Sequence, residues 1–592
     1  MRLLKTALLL SLLLIGVVAI SCGGGGDEKS NTPVATTAQR TPTVTTAVAS
    51  PTAAVAPTRT TQAGSSLETA MEYFPYELEN IRYGGNIRIN VQNMPPHFDP
   101  KFNNQAITRT MRWVYEKVVG WVPSEGNLLN EMEPILAESW SASSDLKTYT
   151  FKIRRGVQWQ NVPPVNGREL VADDIVFSLN RYREKDSLYV STYGQVQSIE
   201  APDKYTVVIK LKDPSAWAIN DLFPTAEYIV APEAVAEGKG NIPYTLGIGT
   251  GPYIVKNYRF NSGGSLVRNP TYWGKDKKGN ALPYTDSIEI LYSSDVATTV
   301  AAYRTGQIDA GQSPGVADIS NMLKTNPGLR VFKSGVVRPT TGFTFNTQKA
   351  PWNDARVRRA FNMALNKDKY GSLVTTTSNW SYGGTVLWSL VSDEPFTLDK
   401  LGPYYKYNPA ESKKLRIEAG FADGKVKVAT PLSFSNPSMT LRATAFQALF
   451  KEEGIEFELE PLDFSTYAPY YYQRAFKDIA VTFVNGDDLT LNWVAQNKFQ
   501  KDSTQNTAKI DDPEIERIVR EIKVTSDPAK LRQYAKFLWD YDTLGSYNIW
   551  TPAEQGYSVT QARVRNWTSR SNDGFFSQRY TPWLADAPRT SP

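Results

Sequence analysis

The sequence predicts an α/β protein with mixed sheets, divided between more than one lobe, and three observations carry that expectation. Strand-like alternation and helix-like spacing of apolar residues interleave along the whole body of the chain. At 592 residues the chain is longer than one ordinary hydrophobic core organises. Beyond Tyr73 no apolar run is long enough to cross a membrane, so the body reads as one that folds in water.

The strands announce themselves by period two. Ile87, Ile89 and Val91 alternate with polar neighbours, as do Tyr149, Phe151 and Ile153, and then Tyr205, Val207, Ile209 and Leu211. Ile455, Phe457 and Leu459 alternate with Glu456, Glu458 and Glu460, the mark of a strand with one wet face. Helical spacing follows at Val357, Ala360, Phe361 and Ala364, at Ile515, Ile518, Val519 and Ile522, and at Leu531, Tyr534, Ala535 and Leu538. Asn408-Pro409 with Glu411, Asp512-Pro513 and Asp527-Pro528 each put a capping oxygen before a proline in the first turn, and Gly420 closes the helix begun after Asn408. Gly249 and Gly251, flanking Thr250 before Pro252-Tyr253, read as a strand-entry loop using positive φ.

Composition excludes more than it assigns. Lys and Arg number 65 against 60 Asp and Glu, which leaves no electrostatic footprint for nucleic acid. With one Cys and one His, Cys22 and His97, the chain cannot build a disulfide framework, a Cys/His metal site or a Ser-His-Asp or Cys-His nucleophile. No phosphate-binding GxxxxGK[ST] loop and no HExxH occurs. The expectation is therefore a protein that is not an enzyme and carries no cofactor and no metal. A carboxylate-only glycosidase is the remote alternative.

The N-terminus reads as an address and a tether. Arg2 and Lys5 precede the apolar run Ala7 to Ile20, which ends at Ser21-Cys22. This resembles the bacterial lipobox, with Ala19 where Leu or Val is usual, so residues 1–22 are expected to be a lipoprotein signal and Cys22 the lipidated residue. From Gly23 to Ser66 there is no aromatic residue, only small, polar and proline-rich sequence, and a flexible tether is expected over 23–80. Such a leash confines a folded body to the membrane surface near a membrane partner.

Consecutive blocks of the body then match one family in order: Phe98-Asp99-Pro100 with Tyr115-Glu116; Leu136 to Trp140 running into Tyr149 to Val157; Ala172-Asp173-Asp174-Ile175-Val176-Phe177-Ser178; Gly249 to Tyr253; Arg268-Asn269-Pro270 with Tyr272-Trp273; Gly306-Gln307-Ile308-Asp309; Val357 to Leu365; and Ala419-Gly420-Phe421. Together they resemble the extracellular solute-binding proteins of ABC importers, family 5, the oligopeptide, dipeptide and nickel type. The resemblance implies a two-lobed, periplasmic-binding-protein-like clamp (type II, cluster C-like) closing on ligand by hinge motion. Its expected parts are a first lobe at 81–312 with an inserted subdomain at about 101–245, a second lobe at 313–545 and a return at 546–592. The hinge crossings are expected near Gln312 to Pro314 and Gly545 to Asn548. It implies a monomer at the extracytoplasmic face of the cell membrane, periplasmic or at the cell surface, delivering a peptide or similar solute to an ABC permease.

Peptide-binding relatives hold an extended ligand by main-chain pairing between the lobes. The matching segments are Gln92-Asn93-Met94 in the first lobe and Asn485-Gly486-Asp487-Asp488 in the second, after the apolar strand at 479–483. Either Asp487 or Asp488 is then the partner of a ligand ammonium. A solvated turn around Gly486 is the plainer alternative. Asn346 joins the candidate set, and Tyr470, Tyr471, Tyr472, Trp493 and Trp380 offer stacking platforms should the ligand be an oligosaccharide. His97 alone is poor support for nickel and is expected to be structural.

Overall fold

A computed structural model describes residues 80–589 apart from 93, 103–110, 122–131, 224–226, 312–313, 334–340, 376–379, 387–389, 393–395, 422–424, 433–436, 464–465, 468–469, 472, 484–489, 504, 555–556 and 568–581. Among the described residues, three sheets of four or five strands organise the body. In the first-lobe sheet, Asn86–Val91 runs parallel to Ser287–Tyr292 on one side and to Ala310–Gly311 on the other. Gly263–Arg268 and Tyr253–Arg259 continue it antiparallel. Ile87 and Ile89 are buried at 2% exposure each, as their alternation requires.

Within 101–245, the expected inserted subdomain, an antiparallel sheet runs in the order Ala137–Ala142, Thr148–Ile153, Thr206–Leu211, Val196–Asp203. Helix Ala172–Arg181 opens on Asp173 and Asp174, where the macrodipole favours carboxylates. Asp174 also accepts both guanidinium arms of Arg168 at 2.7 and 2.8 Å. The subdomain shares one apolar core with the first-lobe sheet, from Ile87 through Phe151 and Val207 to Leu584.

The second-lobe sheet runs Glu456–Asp463, Lys425–Leu432, Ile479–Phe483, Thr341–Phe345, Asn548–Trp550. The first three are mutually parallel, and Thr341–Phe345 is antiparallel to both of its neighbours. Helices Ala355–Ala364 and Pro437–Glu452 cover this sheet through Phe361, Phe446 and Phe450, which pack on Phe343 and Phe457. Helices Pro513–Val524 and Pro528–Gly545 form a separate core around Ile515, Leu531 and Trp539. The expected caps are made: Asn408, Asp512 and Asp527 accept from Glu411, Glu514 and Ala529 backbone N–H at 3.1, 2.9 and 2.9 Å, and Gly420 takes φ +74°.

Two readings need correction. Gly249 and Gly251 are not at positive φ; a Cβ on them would stand 2.0 and 2.6 Å from the Val114 carbonyl oxygen, so backbone proximity is what demands glycine. The expected crossings also move. Residues 548–550, assigned to the return, are a strand of the second-lobe sheet. The two connections between the main sheets instead run side by side, Arg330–Lys333 pairing antiparallel with Tyr557–Thr560. That ribbon packs with Tyr303, Ile308 and helix Val316–Thr325 in a small apolar core of its own, separate from those of the two main sheets. Sequence could not locate the switch, because helix 316–325 is as amphipathic as one from either lobe.

Asp309 of the Gly-Gln-Ile-Asp block ties the first strand to the return. Its buried carboxylate accepts from Arg88 N–H at 2.8 Å, the Arg88 guanidinium at 3.1 Å and the Arg563 guanidinium at 2.8 and 2.9 Å. Burial raises its pKa, but the Arg563 and Arg88 hydrogen bonds outweigh it and hold the carboxyl below its ordinary range. The stabilisation is therefore present above the ordinary carboxylate pKa and lost as pH falls through the lowered one.

Candidate functional site

Parallel α/β sheets present ligand sites at the carboxyl ends of their strands. Val91, Tyr292 and Gly311 end the three parallel first-lobe strands on one edge. Phe483, Leu432 and Trp550 end second-lobe strands on one edge, where Thr341 begins its antiparallel strand. The candidate segments leave from those edges. Gln92 follows Val91 directly and is half-buried, and Met94 is 4% exposed in the first-lobe core. Asn93, Tyr472, Asn485, Gly486, Asp487 and Asp488 lie outside the described residues, as does Cys22.

The loop after Met94 is held from beneath. The Tyr258 hydroxyl donates to the Pro95 carbonyl at 2.8 Å, and Phe98 meets the Tyr258 ring edge-on at 4.7 Å. Asn90, 4% exposed, bonds the Leu291 and Ser293 carbonyls at 3.4 and 3.5 Å, pinning the neighbouring strand end. His97 accepts from Asp99 N–H at 3.3 Å through Nδ1, and burial lowers its pKa, which Asp99 opposes. Asp99 in turn takes Arg181 bidentately, so His97 sits in a turn built on an ion pair. No cluster of His, Cys, Asp or Glu able to hold a metal ion occurs among the described residues.

The other candidates do not converge on the strand edge. Asn346 lies at the far end of its strand, where its amide donates to the Phe476 carbonyl at 2.7 Å and its backbone N–H to the Asp478 carbonyl at 2.9 Å. Tyr471 is 3% exposed and stacks between Tyr467 and Phe476, with both faces of its ring covered. Tyr470 is half-buried and its hydroxyl donates to Glu460 at 3.3 Å. Trp380 donates to the Tyr382 hydroxyl at 2.9 Å. Trp493 is half-buried on the short helix Leu491–Val494, with the Lys498 ammonium 5.7 Å from its ring centroid.

Nothing in the sequence marks the contact that residues 216–221 make with the second lobe. Trp217, 2% exposed, packs in the core around Ile515 and Trp539 and donates its indole N–H to the Ile522 carbonyl at 2.7 Å. Beside it, Ala216 N–H donates to the Lys523 carbonyl at 2.9 Å. Asn492 donates to both oxygens of Asp221 at 3.0 and 3.3 Å. Burial pushes Asp221 up to about 7, although Asn492 and the Lys523 charge pull it down.

Because that pKa is raised, the contact is strongest below the ordinary carboxylate pKa and weakens as pH rises towards about 7, by at most about 1.4 kcal/mol per pH unit. Denaturation midpoints between pH 4 and 8 should show this decline in the wild type. In Asp221→Asn the curve should be flatter over the same window.

Chains of known kind resemble this one over most of its length. A family model described as bacterial extracellular solute-binding proteins, family 5, matches residues 131–505. Di/tripeptide-binding protein 2 of Pseudomonas aeruginosa is 29% identical over 352 residues, covering 55% of this chain and 62% of that protein. Di/tripeptide-binding protein 1 of the same organism is 25% identical over 447 residues, covering 68% and 77%. Among solved structures, the ABC transporter-associated periplasmic binding protein DppA of Helicobacter pylori, in complex with the peptide STSA, superposes with a TM-score of 0.69 at 21% identity, over 85% of this chain and 99% of that one. Two sheets linked by a two-stranded crossing agree with that match, and the chain belongs to the bacterial extracellular solute-binding proteins of family 5, a family of ABC-importer binding components rather than enzymes.

Proposed function

We propose that this chain is the lipid-anchored, extracytoplasmic receptor of an ABC importer, capturing short peptides between its lobes and handing them to a membrane permease. The observation that carries the reading is that the main sheets of the two lobes end their parallel strands at Val91 and at Phe483, the carboxyl edges where such sheets take ligands, directly before the sequence segments expected to pair with an extended ligand. The peptide class rests on the di/tripeptide-binding relatives and on the peptide-bound fold neighbour. Anchoring rests on the run Ala7 to Ser21 before Cys22. Stacking of sugars on Tyr471 is disfavoured by its covered ring.

Thermal-shift screening against di- to pentapeptides, oligosaccharides and chelated nickel tests the reading. Peptides should raise the midpoint by mass action and be recovered intact. A shift only with sugars or chelated nickel, or turnover proportional to protein, would overturn it. Anchoring has its own test: Cys22→Ser in a lipoprotein-processing bacterium should release the protein from the membrane fraction, and unchanged partitioning would refute it.

Within this reading, Asp487 or Asp488 takes the ligand ammonium. A carboxylate enclosed on lobe closure needs a partner, and the charge-assisted hydrogen bond is worth on the order of 2–5 kcal/mol. N-acetylating a bound peptide should weaken it about 30-fold or more in the wild type. It should have little further effect in whichever of Asp487→Asn or Asp488→Asn removes the partner; equal affinities throughout would refute the assignment.

A further inference from the structure

At the start of the short helix Ala218–Leu222, neighbouring residues are buried in two different cores. Ala218, Ile219 and Leu222, with Phe223 after them, pack in the core that runs from Ile87 to Leu584. Trp217, one residue earlier, packs among helices Pro513–Val524 and Pro528–Gly545 of the second lobe. The chain before it is fixed on the side of the first core. Ser215 N–H donates to the Leu146 carbonyl at 3.1 Å, the Tyr149 hydroxyl donates to the Ser215 carbonyl, and the buried Ser215 hydroxyl accepts from Trp217 N–H at 3.2 Å.

Residues 215–223 therefore belong to one body and reach into the other. They do so through the indole N–H on the Ile522 carbonyl at 2.7 Å, Ala216 N–H on the Lys523 carbonyl at 2.9 Å, and the Asp221 carboxylate, which accepts from Asn492 at 3.0 and 3.3 Å. The ribbon of Arg330–Lys333 with Tyr557–Thr560 joins the main sheets covalently and stays whole when they rotate. This second contact cannot, because residues 217 and 218 are consecutive and cannot follow two cores that part. It uses no residue of 92–94 or 485–488, so it forms without a ligand.

We infer that residues 216–221 are a latch that docks the first-lobe body on the second lobe independently of ligand, and that the strength of this docking sets how tightly a solute is held. The inference rests on the peptide-capture reading and goes beyond it, since affinity is then governed partly by residues that touch no ligand. Asp221 is a positioning residue in this scheme. It acts through Asn492 on the short helix Leu491–Val494, which follows the candidate segment 485–488 closely in the chain. A chain held closed for more of the time offers its binding-competent form for more of the time, and its apparent affinity rises by the same factor.

The latch is also sensitive to pH. The titratable and charged groups that act on Asp221 are Lys523 on the second-lobe side and Tyr149 on its own side. Burial pushes Asp221 up to about 7, whereas on opening it returns to water and to the ordinary carboxylate range. The docked form is therefore favoured most below that ordinary range and progressively less as pH rises towards about 7.

Calorimetric titration of the full-length wild type with di- and tripeptides between pH 5 and 7 is the test. Both ligand termini keep their charges over that range. Affinity should fall as pH rises, by at most about tenfold per pH unit. Asp221→Asn, which keeps an acceptor for the Asn492 amide without the charge, should hold the wild-type affinity of pH 5 throughout. Asp221→Ala should be equally flat but bind about threefold more weakly or worse, the effect of one lost hydrogen bond. The Asn variant decides the matter should the Ala variant fail to fold. A pH slope that survives Asp221→Asn, or no slope in the wild type, would overturn the latch while leaving peptide capture standing. Failure of every peptide to bind the wild type would overturn capture, and hydrogen exchange of the chain without peptide then judges the latch by itself. A protected Ala216 amide that loses its protection in Asp221→Ala upholds it, and an Ala216 amide that exchanges as in an unfolded chain overturns it.

Discussion

Replacing Trp217 by alanine is expected to lower the free energy of unfolding by about 3–5 kcal/mol, the range for deleting a buried aromatic side chain. The indole is 2% exposed, belongs to the core around Ile515, Leu531 and Trp539, and makes a 2.7 Å hydrogen bond to the Ile522 carbonyl. Truncation opens a cavity and leaves that carbonyl without its donor, and the two costs add. Trp217→Phe restores much of the volume but not the N–H, so its loss should be about a third to a half of the alanine value. The site joins the inserted subdomain to the second lobe, so the same variant should also change ligand affinity, although residue 217 is assigned no contact with ligand. Urea denaturation with and without a bound peptide checks both effects. A loss below about 1 kcal/mol would mean that the contact is superficial.

Asp309→Asn carries the second large expectation, a loss of about 3 kcal/mol. The carboxylate is buried between Arg88 and Arg563, and the asparagine would leave both guanidinium groups facing a neutral amide that can accept with one oxygen only. Both arginine side chains remain about 30% exposed, so water moderates the penalty below that of a fully enclosed pair. Guanidinium or urea titrations at pH 7 should show the deficit. As pH falls below the ordinary carboxylate pKa and through the lowered one, wild type and variant should converge, since the wild-type carboxylate loses its charge and with it its advantage. A deficit that persists unchanged at low pH would show that Asp309 acts by shape rather than charge.

Much of the fold was legible because burial on one face leaves a period. The glutamates at 456, 458 and 460 and the apolar residues between them fixed that strand, and a capping oxygen before proline fixed three helix starts to the residue. The crossing was not legible. The ribbon Arg330–Lys333 with Tyr557–Thr560 joins segments more than 200 residues apart, and pairing at that distance leaves no local signature. Gly249 and Gly251 were recognised as required but for the wrong reason, since sequence cannot distinguish a glycine needed for φ from one needed for proximity to Val114.

Of the candidate site, the strands Asn86–Val91 and Ile479–Phe483 that precede the expected segments were legible by pattern, whereas Tyr471, whose amphipathic ring suits a platform, turned out to be buried in a stack with Tyr467 and Phe476.

The most direct test of the account is equilibrium dialysis of the purified chain against the mixed di- to pentapeptide panel, with the bound fraction released and identified by mass spectrometry. Uptake should be saturable and approach one peptide per chain, with every molecule recovered at its original mass and released on dilution. Recovery of cleaved or modified peptides in proportion to protein and time, or no saturable peptide uptake at any concentration, would contradict it.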